Sequence, residues 1–323
     1  MMTGQLNSQK AVRDCLFGAP GKVYVLGHPH PDGDSLGSIV GLSLVLQARG
    51  VEAIPVSSGP MPARYEFLTQ HVSFAPAPVD ATGATVAVLD CGDLMRLQEL
   101  GQTLTGALTV VNIDHHQGNP RFGNLNLVDP SAAATGLLIW EVFGEGLNAQ
   151  AAQALFTAIY TDTGRFSYPN TDARALQAAA SLVELGANPS QVFQAIYETL
   201  SPNYLKFLGH ILTKIEYAHN LQIALLALSQ EELQESGLEE GELDSIIDYP
   251  RAVGGIVAAA VLKEISSTQV RVSFRSKGQV NVAKVAAALG GGGHINAAGA
   301  SFTGSLAAAR EQVLTLLSRA MEE

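Results

Sequence analysis

The sequence predicts an α/β protein: an N-terminal domain built on a mostly parallel β-sheet flanked by helices, a helical linker, and a smaller C-terminal α/β domain. Three observations predict it. Short, apolar, β-branched runs alternate with helical patterns through the first half, and such runs form parallel sheets covered on both faces. From Ala132 the pattern turns helical, and strands restart only at Leu221. A length of 323 residues is long for one domain and comfortable for two. The expected boundaries are 1–187, 188–220 and 221–323.

Taken in order, Val23–Leu26 reads as a buried strand and Ser35–Arg49 as a helix stopped by Gly50. Val51–Val56 is a strand, and Ala63–Thr69 a helix opened by Pro62. Thr85–Leu89 is an apolar strand running into Asp90, and Leu108–Ile113 another running into Asp114-His115-His116. Thr135–Phe143 and Ala149–Tyr160 are helices, the second leading into Thr161-Asp162-Thr163-Gly164-Arg165-Phe166. Asp172–Leu185 and Ser190–Leu200 follow as helices, and Pro202–His219 reads as one long amphipathic helix. Leu221–Leu228 is a strand, and Ser229-x-x-Glu232 is a capping box opening a short helix. Gly255–Ile265 and Gln269–Phe274 are consecutive strands, and Val282–Leu289 is a short helix ending in four glycines and His294. Leu306–Met321 closes the chain as an amphipathic helix.

Composition narrows the function classes. The apolar content is 47% and the charged content only 15%, which supports buried cores over extensive disorder. No apolar run approaches the roughly 20 residues that span a bilayer, and the N-terminus does not read as a signal peptide. Cys15 and Cys91 lack any CxxC spacing and fit a reducing cytoplasm as small buried hydrophobes. A net charge of −11 argues against non-specific binding of long nucleic acid. Between Arg251 and Ala300, however, six basic residues stand against one acid, Glu264, just after a stretch with eight carboxylates from Glu231 to Asp248. A basic patch on an acidic chain suits a short anionic ligand.

The chemistry gathers at strand ends. Asp32 and Asp34 lie two apart in the loop after the first strand; in extended backbone their side chains leave on the same side. Like charges this close call for a cation between them, unless the loop is simply a turn in which Asp34 or Ser35 caps the helix. Two further clusters, Asp90 and Asp114/His115/His116, also fall at carboxyl ends of expected strands, the edge where open parallel sheets bind ligands. The candidate ligands His28, Asp32, Asp34, Asp90, His115 and Asp162 offer four carboxylates and two imidazoles, a set suited to two divalent ions. Thiolates are absent, which disfavours a structural zinc site, and the mixed oxygen and nitrogen donors favour manganese. Two metals about 3.5–4 Å apart clamp an in-line attack on phosphorus and acidify the attacking water to hydroxide. His116 is then free to donate to a phosphoryl oxygen or leaving group. In the second half, consecutive glycines let backbone N–H groups approach an anion, with Arg275 and His294 as further donors. His71, His210 and His219 read as ordinary histidines and Trp140 as core; Phe166 and Tyr168 are candidates to stack on a base or to pack at the rim.

The Asp114-His115-His116 triplet, with His28-Pro-His-Pro-Asp32-Gly-Asp34, Leu89-Asp90, Thr161-Asp162-Thr163-Gly164-Arg165-Phe166 and Gly291-Gly292-Gly293-His294, resembles the DHH phosphoesterase superfamily over nearly the whole chain. The glycine-histidine run resembles the signature of the DHH-associated C-terminal domain; Gly290 is an extra glycine before it. The resemblance implies one manganese on His28, Asp32 and Asp90, and a second on Asp34, Asp90, His115 and Asp162. Asp90 bridges, with magnesium or cobalt as substitutes. It implies His116, Asp114 and Asp90 as catalytic residues, with His116 facing the scissile phosphate. Arg275, Ser276, Gly292, Gly293 and His294 would bind substrate, with the active site in a cleft between the domains.

Size and domain content then favour the stand-alone oligoribonuclease and pAp phosphatase type. Exonucleases of the RecJ type carry an OB-fold that has no room here, and membrane-bound cyclic-di-AMP phosphodiesterases carry transmembrane segments that are missing. The expected function is hydrolysis of short single-stranded RNA (nanoRNA) to mononucleotides and dephosphorylation of pAp. Cyclic or linear di-AMP (pApA) and short DNA are the competing substrates. A non-catalytic nucleotide sensor is the alternative of another class, and it would have lost metal ligands; none is missing. A cytoplasmic protein with no membrane partner is expected, and a homodimer is compatible with the sequence.

Overall fold

In the computed structural model, which describes residues 2–278 and 280–322 and leaves the side chains of residues 2–7, 240, 244 and 294 undescribed, the chain divides into two units, Met1–Thr199 and Leu200–Glu323. In the first, α1 (Met2–Phe17) precedes β1 (Val23–Leu26), α2 (Gly33–Ala48), β2 (Ala53–Ser57), a 3-10 turn into α3 (Glu66–Thr69), and the short β3 (Ala75–Pro76). β4 (Thr85–Leu89), a kinked 3-10 segment (Leu94–Leu104), β5 (Thr109–Asp114) and β6 (Leu125–Val128) follow. α4 (Thr135–Phe143), α5 (Ala149–Asp162), α6 (Ala173–Glu184) and α7 (Pro189–Tyr197) complete the unit.

The six strands pair in the order β3-β2-β1-β4-β5-β6, and every pairing is parallel. β1 and β4 are buried at every position, as a sheet covered on both faces requires. The helices pack their apolar faces on one side through Leu36, Ile39, Leu137, Leu155 and Ile159. The other side is closed by Leu97 and Leu100 of the 3-10 segment. The strand order reverses direction between β1 and β4, so the crevice of this doubly wound sheet opens at their carboxyl ends.

Helix α2 carries glycine at positions 33, 37 and 41, one helical face. A Cβ on Gly37 would run into the Ala154 carbonyl oxygen, and one on Gly33 into the Thr161 side chain. Bare backbone therefore lets α5 lie directly on α2, which brings Asp162, the last residue of α5, to the N-terminus of α2.

The second unit holds α8 (Pro202–Leu212), β7 (Glu216–Ala218), β8 (Ile223–Leu228), α9 (Gln230–Ser236), a 3-10 segment (Glu240–Ile247) and α10 (Asp248–Ala252). β9 (Ala258–Ser266), β10 (Gln269–Ser276), α11 (Val282–Ala287), β11 (Gly292–His294), β12 (Ala297–Thr303) and α12 (Leu306–Ala320) follow. Its sheet runs β11-β12-β10-β9-β8-β7, parallel only between β8 and β9 and antiparallel elsewhere. One face is covered by α11 and α12, the other by α8 and the 3-10 segment.

One expectation needs correction. The helix from Pro202 stops at Leu212 rather than His219, because Glu216–Ala218 pairs antiparallel with β8. His219, Asn220 and Leu221 take φ values of 51–62° in the tight connection, a conformation no helix contains. Gly292–His294, read from the sequence only as a glycine run after a helix, is an edge strand on β12. The capping box at Ser229 and Glu232 is present.

Candidate metal centre and active site

Asp32 is the N-cap of α2: its Oδ1 accepts the Ser35 N–H at 3.0 Å, so the helix is capped, but by Asp32 rather than by Asp34 or Ser35. Asp34, in the first turn of α2 and 2% exposed, does something else. Its carboxylate accepts the N–H groups of Thr135 (2.7 Å) and Gly136 (2.9 Å) and the Ser38 hydroxyl (3.1 Å). Thr135 and Gly136 open α4, whose own N-cap, Ala134, has no side-chain acceptor. Asp34 caps that helix from the neighbouring α2, where the positive end of the dipole favours a carboxylate.

Asp90 ends β4 with φ of 52°, a left-handed conformation that aspartate tolerates better than most residues. Its N–H still bonds the Ile113 carbonyl (3.1 Å), and its Oδ1 accepts the Thr135 hydroxyl (3.2 Å). His28 Nε2 lies 3.9 Å from Asp90 Oδ2.

The histidine tautomers follow from their partners. His115 Nδ1 meets the Ala132 carbonyl oxygen at 3.2 Å, so Nδ1 carries the hydrogen. Nε2 then faces Asp34 Oδ2, Asp90 Oδ1 and Asp162 Oδ2, each at 3.6 Å. His116 Nδ1 bonds Asp114 Oδ1 at 2.7 Å, and its Nε2 stands 3.2 Å from Arg96 Nη1. Because a guanidinium can only donate, His116 carries its hydrogen on Nδ1 and its Nε2 accepts from Arg96, so this nitrogen does not donate to a phosphoryl oxygen as the sequence suggests.

Burial, aided by the neighbouring carboxylates, raises Asp34 to about 7 against the opposing pull of His115. Burial likewise raises Asp162 to about 6 and Asp90 well above the ordinary range. Burial lowers His28. For His115 burial is outweighed by Asp34 and Asp162, which raise it. Asp114 is also fully buried, yet hydrogen bonds from His116 and Asn119 outweigh that burial and keep it below the usual carboxylate value. The cluster around Asp34, Asp90 and Asp162 thus has more negative charge than its surroundings can stabilise, whereas Asp114 is satisfied.

Three sets of potential ligands, His28/Asp32/Asp90, Asp34/His115/Asp162 and Asp90/His115/His116, each place one donor atom per residue within 4.8 Å of the others. The donors fit divalent ions. With Nδ1 protonated, the Nε2 lone pair of His115 points at three carboxylate oxygens beyond hydrogen-bond distance, and a cation converts that opposition into coordination. All six ligands expected from the sequence, with Asp114 and His116, meet in the first unit.

The expected substrate residues lie in the second. Arg275 of β10 pairs with Ala297 of β12, which pairs with His294 of β11; the His294 side chain is outside the described residues. Ser276 points to the other face and is 4% exposed. Its hydroxyl bonds the Val280 carbonyl (2.7 Å) and accepts from Asn296 (3.0 Å), so it fastens the turns beside Arg275. Phe166 packs on the core, and Tyr168 lies against Gly164. His210 pairs with Glu232 (3.1 Å). Sequence reasoning missed Arg96, Thr135 and Asn119. Asn112 and Asn126 were detectable as polar residues within strands; Arg96 carried no signal.

Residues 22–161 match the model of the DHH family, N-terminal domain, and residues 220–323 that of the DHHA1 domain. The chain is 34% identical over 310 residues to the bifunctional oligoribonuclease and PAP phosphatase NrnA of Thermus thermophilus, covering 94% of this chain and 92% of that protein. It is 31% identical to the protein of the same name from Bacillus subtilis, over 85% and 87% of the two chains. The crystal structure of an exopolyphosphatase-related protein from Bacteroides fragilis shares the fold, with a TM-score of 0.88 at 21% identity over 97% of this chain and 96% of that one. With its triplet at the end of β5 and a DHHA1 domain behind it, the chain belongs to the DHH family.

Proposed function

We propose that the protein is a metal-dependent hydrolase that degrades RNA of a few nucleotides to mononucleotides and dephosphorylates pAp in the cytoplasm. The observation that carries this reading is the convergence of three carboxylates on His115 Nε2 at 3.6 Å each, beside a histidine, His116, held between Asp114 and Arg96. The names of the two NrnA relatives supply the substrate class.

His28, Asp32 and Asp90 would hold one divalent ion and Asp34, Asp90, His115 and Asp162 the other, with Asp90 shared; manganese is the proposed metal. When bound, the ions would acidify the attacking water and neutralise charge on the phosphoryl oxygens. The chain's own groups do the rest. Asp34 is pre-aimed by the α4 N-terminus and Ser38, so no reorganisation of this ligand accompanies binding. His116, held at Nδ1 by Asp114, would stand beside the scissile phosphate with its Nε2 accepting from Arg96, whose remaining donors would reach the phosphoryl oxygens. Arg275, with the backbone of Gly292 and Gly293 and with His294, would take the substrate's phosphate and sugar, while Ser276 holds their turn.

The test is hydrolysis by the purified protein with manganese of pAp, a di- to pentanucleotide RNA ladder, matching DNA, pApA and cyclic di-AMP. Mononucleotides from short RNA and phosphate from pAp are the expected products. Turnover of cyclic di-AMP alone would transfer the site to the cyclic-dinucleotide reading, and no hydrolysis of any substrate would end the proposal.

A further inference from the structure

Behind His116 lies a chain of buried and half-buried amides that the metal centre does not require. Asn119 Nδ2 donates to Asp114 Oδ2 at 2.6 Å and reaches the Cys91 carbonyl at 3.2 Å. Its Oδ1 accepts from Asn112 Nδ2 (2.9 Å) and from the Arg121 N–H (2.7 Å). Asn112, wholly buried in the middle of β5, uses its other hydrogen on Asn126 Oδ1 at 3.2 Å, its register partner on β6. Asn126 closes the chain on the N–H (3.0 Å) and carbonyl (2.7 Å) of Gly123.

A valine at position 112 would serve the sheet and avoid the cost of burying an amide. The amides are tolerable because each is satisfied, and a satisfied buried network fixes geometry. What this one fixes is Asp114. The two carboxylate oxygens have separate partners, Asn119 on Oδ2 and His116 on Oδ1, so the carboxyl plane cannot rotate. The His116 ring is therefore set in one tautomer and one orientation.

We propose that Asn119 is the positioning residue for His116, aiming its Nε2 through Asp114 with Asn112 and Asn126 as backing. The proposal rests on the reading that His116 faces the scissile phosphate. Partners of this kind behind a reacting imidazole are worth about 10–100-fold in activity.

The test is Asn119→Leu, which removes the donor to Asp114 at similar volume, with Asn119→Ala as a second variant. In the manganese-loaded enzyme acting on pAp, kcat is expected to fall about 10–100-fold, with KM and the metal requirement unchanged. In a His116→Ala background the same change should have no further effect, because the group it aims is gone. Independently of turnover, nitrogen-15 histidine spectra of the magnesium-loaded protein, with His116 identified by its loss in His116→Ala, should show the single Nδ1–H form. In both Asn119 variants that form should give way to a mixture. Wild-type kcat with an unchanged tautomer, or an equal loss in the His116→Ala background, overturns the positioning role. Wild-type activity of His116→Ala itself would instead overturn the reading on which the role rests.

Discussion

The first unit's strands all run one way and collect their carboxylates at one edge, where burial raises Asp34, Asp90 and Asp162. The second unit's sheet is mixed, and its most perturbed carboxylate moves the other way. Burial raises Glu232, but bonds from Lys214, the Ser229 N–H and His210 outweigh it and bring the group to about 2. Glu232 is thus well satisfied, and the second unit also carries a half-buried arginine, Arg275, on β10. The contrast fits the two jobs proposed above. One unit concentrates buried carboxylates that a divalent cation would relieve, and the other would offer donors to an anion.

The largest expected effect comes from removing the shared ligand. Asp90→Ala should lower kcat on pAp by about 1000-fold or more, since the charge stabilisation lost amounts to several kcal/mol. Manganese titration should show weakened binding at both proposed positions; a wild-type rate would show that Asp90 is not shared. The matching change in the second unit should behave differently. Arg275→Ala removes a charged hydrogen bond to substrate and should raise KM about 10–100-fold, leaving manganese affinity intact. Loss of metal binding in that variant would break the division of labour between the units.

A smaller effect probes how the first unit assembles its buried carboxylates. Gly37→Val pushes side-chain atoms into the Ala154 carbonyl and Ala158, forcing α2 and α5 apart. Overpacking of this kind costs about 1–3 kcal/mol. Denaturant midpoints should fall accordingly, and manganese affinity should fall too, because Asp162 rides on α5 while Asp34 rides on α2. Lost stability with unchanged metal affinity would mean that the helix pair does not set the ligand spacing.

How much of this was legible depended on whether the cause was local. Asp90 and Asp114 announced themselves because each directly follows an apolar, β-branched run, and such runs end where a parallel sheet opens. The capping box at Ser229 was readable for the same reason: both partners lie within one turn. Arg96 was not readable, because it reaches His116 from a 3-10 segment whose course depends on the kink at Gln98, a non-glycine residue at φ 49°. β7 was lost because its three residues continue the amphipathic pattern of α8, and only pairing with β8 decides against helix. The glycines at 33, 37 and 41 were visible in the sequence, but their consequence needs α5 beside them.

The smallest effect sets the two units against each other in pH. For Asp34 and Asp162 the folded values, about 7 and about 6, exceed the ordinary aspartate value of 3.8, so the folded metal-free protein binds more protons than the unfolded chain between about pH 4 and 7. Stability of the metal-free protein should therefore fall as pH rises through that window, and manganese should restore it most at the upper end. Glu232 has the opposite sign. Its folded value of about 2 lies below the ordinary glutamate value of 4.5, so its contribution is present above about pH 4.5 and is lost as pH falls toward 2. Glu232→Gln should cost on the order of 1–2 kcal/mol at neutral pH, and that cost should shrink in acid. Thermal melts of wild type and Glu232→Gln from pH 3 to 8, with and without manganese, separate the contributions. Because Glu232 touches only Lys214, His210 and the α9 cap, the metal-dependent part of the curve should be the same in both proteins. A metal response that changed with Glu232 would show that the two electrostatic arrangements are coupled.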